Sequence, residues 1–194
     1  LSRRAVAIAA AAIAVLVLLV AFFVGRRSRT PQGREAELSE VPLETLDIEG
    51  DELRLRLLFP GPSGHLYLEE RLVPPPTRRV DLVRLAVSEL FAGPSDPDLV
   101  APFPPEVAVA DVLLSEEGVA YIDLAAPHLS DPPPSGSLTE LLEIYSIVDS
   151  VLLNAPDIRG VVLLWNGSQR PTFAGHLDTS RPLRLKRDLI AGGV

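Results

Sequence analysis

Twice in this chain, two short segments that alternate apolar and polar residues give way to a longer segment with apolar residues at helical spacing. A third pair of short segments follows. Strands present every second side chain to one face, and helices every third or fourth. This switching of period limits the fold to mixed α and β structure. Leu53–Phe59 (LRLRLLF) alternates Leu with Arg and then turns apolar, PGPSG supplies a turn, and Leu66–Val73 (LYLEERLV) returns. Pro74–Pro76 ends this hairpin because proline has no N–H for a ladder. Val107–Leu114 (VAVADVLL) and Val119–Leu124 (VAYIDL) flank SEEG and read as a second hairpin. Val161–Trp165 (VVLLW) reads as a strand buried on both faces; Asn166-Gly167 is a strong turn signal, and Thr172–Ala174 is expected to return.

The two longer segments carry their own start and stop signals. In Val80–Ala92, the residues Val83, Ala86, Val87, Leu90 and Phe91 fall on one helical face, and Asp81 sits in the first turn, where a negative charge suits the helix dipole. Gly93 then supplies a left-handed stop and Pro94 a residue that cannot extend the helix. Leu138–Leu153 places Leu138, Leu141, Leu142, Tyr145, Val148 and Leu152 on one face, and Ser137 with Glu140 has capping-box spacing. The expected architecture is an α+β fold: a mainly antiparallel sheet with two helices packed on one face, in the order ββ-α-ββ-α-ββ, preceded by one transmembrane helix.

That last element comes from Ala5–Val24, which reads AVAIAAAAIAVLVLLVAFFV without a charge. A run of this length spans a hydrocarbon core of about 30 Å. A cleaved signal peptide is the alternative, but its apolar region is usually about 7–15 residues and ends at small residues. The expected organisation is a signal anchor over 1–29, a polar linker over 30–50 and a folded domain over 51–194. Arg3 and Arg4 precede the run while Arg26, Arg27 and Arg29 follow it, so flanking charge is near a tie. The expected orientation puts the domain on the extracytoplasmic side.

Charge excludes one class of partner. Five of the 18 Lys and Arg, and none of the 26 acids, lie in the first 29 residues; the remainder carries 13 basic and 26 acidic residues, a net of −13. Nonspecific nucleic-acid binding needs phosphate neutralisation, so none is expected. The chain has no Cys, which removes disulfides, thiolate catalysis and Cys-type zinc sites. His65, His128 and His176 are scattered, and His176 with Asp178 is too small a set for a metal site. Glu69–Glu70 and Glu116–Glu117 are adjacent pairs whose carboxyls diverge, unlike a converging acid–base pair. No G-x-S-x-G or phosphate-binding loop occurs. The expectation is no catalysis, no cofactor and no metal. The candidate structural or binding motif is Gly93 and Pro94 with the polar cluster at Asp178 and Ser180, whose simplest role is a turn. Leu99, Val100 and Phe103 are expected to anchor the proline-rich loop.

Taken in order, LAVSELFAGPSDPDLVAPFPP, VLLSEEGVAYIDLAAPHL, the S-x-x-E helix and VVLLWNGSQRPTFAGHLDTSRPL resemble the GerMN domain of sporulation and spore-germination proteins. The resemblance covers about Leu53–Leu183. It implies an exported, membrane-tethered, non-catalytic domain, similar in architecture to ring-building modules of secretion and sporulation complexes. It also implies work in envelope assembly through contacts with envelope proteins or with further copies, with peptidoglycan as a further ligand. The alternative is a cell-wall ligand-binding module or a regulator of a wall hydrolase.

Overall fold

The computed structural model describes residues 46–192. The expected membrane-spanning run, the anchor boundary at 29 and most of the linker lie outside the described residues. Among the described residues no helix is long and apolar enough to cross a membrane. The elements are β1 (Ile48–Glu49), β2 (Glu52–Pro60), β3 (Leu66–Val73), α1 (Arg79–Phe91), β4 (Ala108–Leu114), β5 (Val119–Ala125), α2 (Ser137–Asn154), β6 (Gly160–Trp165) and β7 (Ser168–Gln169), with a short 3-10 turn at Arg187–Leu189.

The α+β class holds, and so does the expected order from β2 onward; an additional short strand, β1, precedes it in the segment expected to be linker, and the single sheet does not hold. The strands form two sheets, an antiparallel β1-β2-β3 and a mixed β4-β5-β6-β7. β5 and β6 run parallel, with Val119 opposite Gly160 and Leu124 opposite Trp165. The reason lies in the connection: α2 carries the chain back between them, and parallel neighbours need such a crossover. The return after Asn166-Gly167 comes at once in β7, which pairs Trp165 with Ser168. Thr172 makes only an isolated bridge to Asp178.

The helices are not confined to one face of one sheet. α2 packs against β2 of the first sheet and β6 of the second, while α1 packs against β4, β2 and α2. α1 buries Leu82, Val83, Ala86, Val87 and Leu90, close to the expected face, and Phe91 is half-buried. α2 departs further. Leu142, Tyr145 and Val148 are buried as expected, but so are Ile144, Ile147 and Val151, and Leu138 is exposed. A helix enclosed by two sheets is apolar on more than one stripe. Ser137 is not its cap. Gly136 holds the N-cap position without a side-chain hydrogen bond, and Glu140 turns to another task.

α2 also closes a strand edge. β1 pairs with β2 only at Leu53 and Glu52, leaving the backbone groups of Arg56 and Leu58 without a strand on that side. Ser146, Ser150 and Asn154, at i, i+4 and i+8 on α2, supply the missing partners. The Leu58 N–H donates to Ser150 Oγ at 2.9 Å, and the Arg56 N–H to Asn154 Oδ1 at 2.9 Å. Asn154 Nδ2 donates to the Arg56 carbonyl at 2.6 Å, and the Ser146 hydroxyl to the Leu58 carbonyl. From Ser150 to Asn154 the match to Leu58 and Arg56 is metric: four helical residues rise about 6 Å and two strand residues about 6.7 Å, while Ser146 and Ser150 share the two backbone groups of Leu58.

Candidate functional site

Gly93 has φ +89°, the left-handed conformation that glycine reaches at low cost. Its N–H donates to the Leu90 carbonyl at 3.1 Å, ending α1. A side chain invisible to local reading holds this end in place. Arg71, on β3, donates to the Glu89 carbonyl at 2.7 Å and to the Gly93 carbonyl, so a guanidinium satisfies the open carbonyls of the helix C-terminus. Arg71 also pairs with Glu69 at 2.7 Å and Glu89 at 3.2 Å, and stacks over the Phe59 ring at 5.6 Å. Glu69 in turn accepts the Ser95 N–H at 2.8 Å and the Ser95 hydroxyl at 3.1 Å, just beyond Pro94. Burial pushes the Glu69 carboxyl up, but the bonds from Arg71 and Ser95 outweigh it and hold its pKa below the usual range.

Of the expected loop anchors, Phe103 is buried and Leu99 packs on the core, but the Val100 side chain is exposed. Val100 contributes its backbone instead, donating to the Pro60 carbonyl at 2.9 Å. Phe103 continues an aromatic series: Phe91 to Phe103 at 5.5 Å, Phe103 to Phe173 at 5.8 Å and Phe173 to Trp165 at 5.8 Å. This series connects the loop after Gly93–Pro94 to the loop before Asp178–Ser180. Among the described residues no hydrogen bond joins the two pairs directly.

Asp178 and Ser180 form a self-contained turn. Asp178 Oδ1 accepts the Ser180 hydroxyl at 2.6 Å and the Ser180 N–H at 2.9 Å, and these bonds hold the carboxyl below its usual pKa. Buried Thr179 between them donates its hydroxyl to the Arg170 carbonyl at 2.9 Å. The same loop is clamped by Glu140, which is fully buried and accepts the N–H groups of Ala174 at 2.8 Å, His176 at 2.8 Å and Leu177 at 3.2 Å. Thus Glu140, predicted to cap its own helix, fills a nest of backbone donors in a distant loop.

Chemically, the buried polar side chains around these motifs bind backbone. Among the described residues no three His, Cys, Asp or Glu side chains gather as a metal set. An open cleft of about 530 Å³ lies elsewhere, between the ends of β4 and β5 and the loop after β5, lined by Ala108, Ala125, His128, Ser130 and Asn166 among others. Sequence reasoning gave Glu140 the role of a helix cap, and missed Arg71, Ser146, Ser150 and Asn154. The signal for the last three was their spacing of four on a helix otherwise rich in apolar residues.

The described residues define an α+β domain of two helices and two sheets in which Arg71, Glu140, Ser146, Ser150 and Asn154 hold backbone groups. Residues 56–170 match the family model Germane, described as sporulation and spore germination, and the chain belongs to this GerMN-domain family. Among solved structures, it is similar to the tandem GerMN domains of the sporulation protein GerM from Bacillus subtilis, at a TM-score of 0.52 and 15% identity. That match covers 73% of this chain and 48% of the tandem, so the chain spans about half of it. The first GerMN domain of the same protein aligns at a TM-score of 0.46 and 17% identity, over 70% of this chain and 98% of that one. No curated protein matches the chain by sequence.

Proposed function

We propose that this chain is a membrane-anchored protein whose GerMN domain works outside the cytoplasm as a non-catalytic interaction module in envelope assembly. The carrying observation is the use of polar side chains. Arg71, Glu69, Glu140, Ser146, Ser150 and Asn154 are spent on backbone groups, and the sites singled out from the sequence become a helix stop and a turn. The uncharged run Ala5–Val24 supports the anchor. The test is in-cell crosslinking of the full chain followed by affinity capture. A discrete envelope protein is expected, and it should vanish when 53–183 is deleted and 1–50 kept.

The open cleft beside β4 favours a second reading, a module for a cell-wall ligand. Peptidoglycan fragments as the sole captured material would replace the first reading with this one.

A further inference from the structure

The tip of the β2–β3 hairpin carries apolar surface that the fold leaves uncovered. Tyr67 lies against Gly61, where an added Cβ would meet the ring at 2.4 Å, with Leu99 Cδ2 at 3.2 Å on the same glycine. Val100, 61% exposed, is tied to Pro60 through its backbone. On the other side of the loop stands Leu138, 55% exposed, whose Cδ2 would lie 3.4 Å from a Cβ at Gly64. Gly64 donates to the Gly61 carbonyl at 3.2 Å, so the two sides belong to one tight turn. Two of the three most exposed large apolar side chains of the described residues therefore flank one hairpin tip; the third, Leu113, lies on β4.

The rim of this patch is acidic. Asp96 and Asp98 are exposed, in the loop that delivers Leu99 and Val100, and the Leu99 N–H donates to the Asp96 carbonyl at 3.1 Å. Asp96 Oδ1 accepts the Asp98 N–H at 2.9 Å. Neither carboxylate has an ion pair among the described residues, whereas Arg54, Arg56, Arg71, Arg78, Arg79, Arg84 and Arg170 each do. The tip is also remote from the point where the described chain enters the sheet. β1 pairs at Leu53, and the turn leaves from Pro60, about 23 Å further along the strand.

We propose that this tip docks a segment of another protein that carries apolar side chains flanked by Lys or Arg. The apolar side chains cover Tyr67, Val100 and Leu138, and the basic flanks meet Asp96 and Asp98. The inference rests on the interaction reading above and deepens it by naming the surface and the chemistry of the partner.

The test uses the full chain in its own cells, with photoreactive benzoylphenylalanine placed singly at Val100, Leu138 or Leu113, the last an exposed residue of β4 remote in sequence from the tip. Crosslinked peptides are sequenced by mass spectrometry. Adducts at 100 and 138 to a foreign peptide bearing apolar residues between Lys or Arg are expected. Their yield should fall about fivefold in the Asp96→Asn, Asp98→Asn variant, as for rim charges. Adducts to this chain itself, to an acidic peptide or to lipid, or none at the tip, overturn the proposal. Foreign adducts confined to position 113 overturn the surface while sparing the interaction reading; no foreign adduct at any position counts against both.

Discussion

Asp149 is fully buried on α2, and its two oxygens fare differently. Oδ1 accepts the Lys186 N–H at 3.0 Å, while Oδ2 has no hydrogen-bond partner among the described residues. Burial pushes its pKa up to about 7, against the opposing effect of the Lys186 N–H, with Tyr145, Lys186, Arg187 and Asp188 around it. The folded state therefore holds this proton more tightly than the unfolded chain, where a free Asp titrates near pH 4. Between about pH 4 and pH 7 the folded domain binds the extra proton, so stability falls as pH rises through that window and levels off above it. The slope is on the order of 1 kcal/mol per pH unit at mid-window. Asp149→Asn is expected to flatten the decline of Tm from pH 5 to pH 8 relative to the parent; parallel curves would refute the assignment. At the same scale, Gly93→Val forces a β-branched residue to φ +89° and is expected to cost about 1–3 kcal/mol in denaturant unfolding. The nearest atom to a Cβ there is that of Ala101 at 3.9 Å, so the loss is strain rather than collision, and Gly93→Asn should lose less. Gly93 was legible because Gly followed by Pro at the end of a helical pattern combines a left-handed stop with a residue that cannot extend the helix. Arg71, which holds that end, was not: on an alternating strand it reads as a solvated side chain.

The edge of β2 makes an element-scale prediction. Ser150→Ala leaves the Leu58 N–H without its partner, and Asn154→Ala does the same for Arg56. Each is expected to cost about 1–3 kcal/mol, the penalty of an unmet buried donor. Amide hydrogen exchange gives the sharper reading: the Leu58 amide should exchange faster in the first variant and the Arg56 amide in the second. Element types and most boundaries were readable because periodicity is local. β3 begins and ends where the alternation does, and α1 and α2 each lie within a residue of their expected limits. The polar stripe on α2 was hidden because serine and asparagine on a helix look like exposed positions until a strand edge is set against them.

At the largest scale, both sheets and both helices of the described residues share one core, and a charged tail ties the sheets together. Leu183 exchanges hydrogen bonds with Val161 of β6 at 2.8 and 2.9 Å, and the Ala191 N–H donates to the Leu66 carbonyl of β3 at 2.8 Å. Ile190, 4% exposed, bridges to Leu66. Ile190→Ala is expected to lower unfolding free energy by about 2–4 kcal/mol, in the range for an emptied core site. A change confined to local fraying, with the global midpoint unmoved, would show the tail to be an appendage. The division into two sheets could not be read from the chain, because strand pairing joins residues far apart and the same ββ-α-ββ order serves one sheet or two. The helix between β5 and β6 was the available clue, since it allows them to lie parallel.

The contact of α2 with β2 works as a vernier. Two scales of nearly equal division, one helical and one extended, are read against each other where Ser150 and Asn154 meet Leu58 and Arg56, and Ser146 locks the Leu58 carbonyl. Such a device has a single setting. Inserting one residue inside α2 turns everything beyond it by about 100° and moves it about 1.5 Å along the axis, so the later teeth lose their marks. An insertion in the irregular stretch from Ser130 to Ser135 leaves the scale intact. Length change in this domain should therefore be tolerated in the connection and refused in the helix.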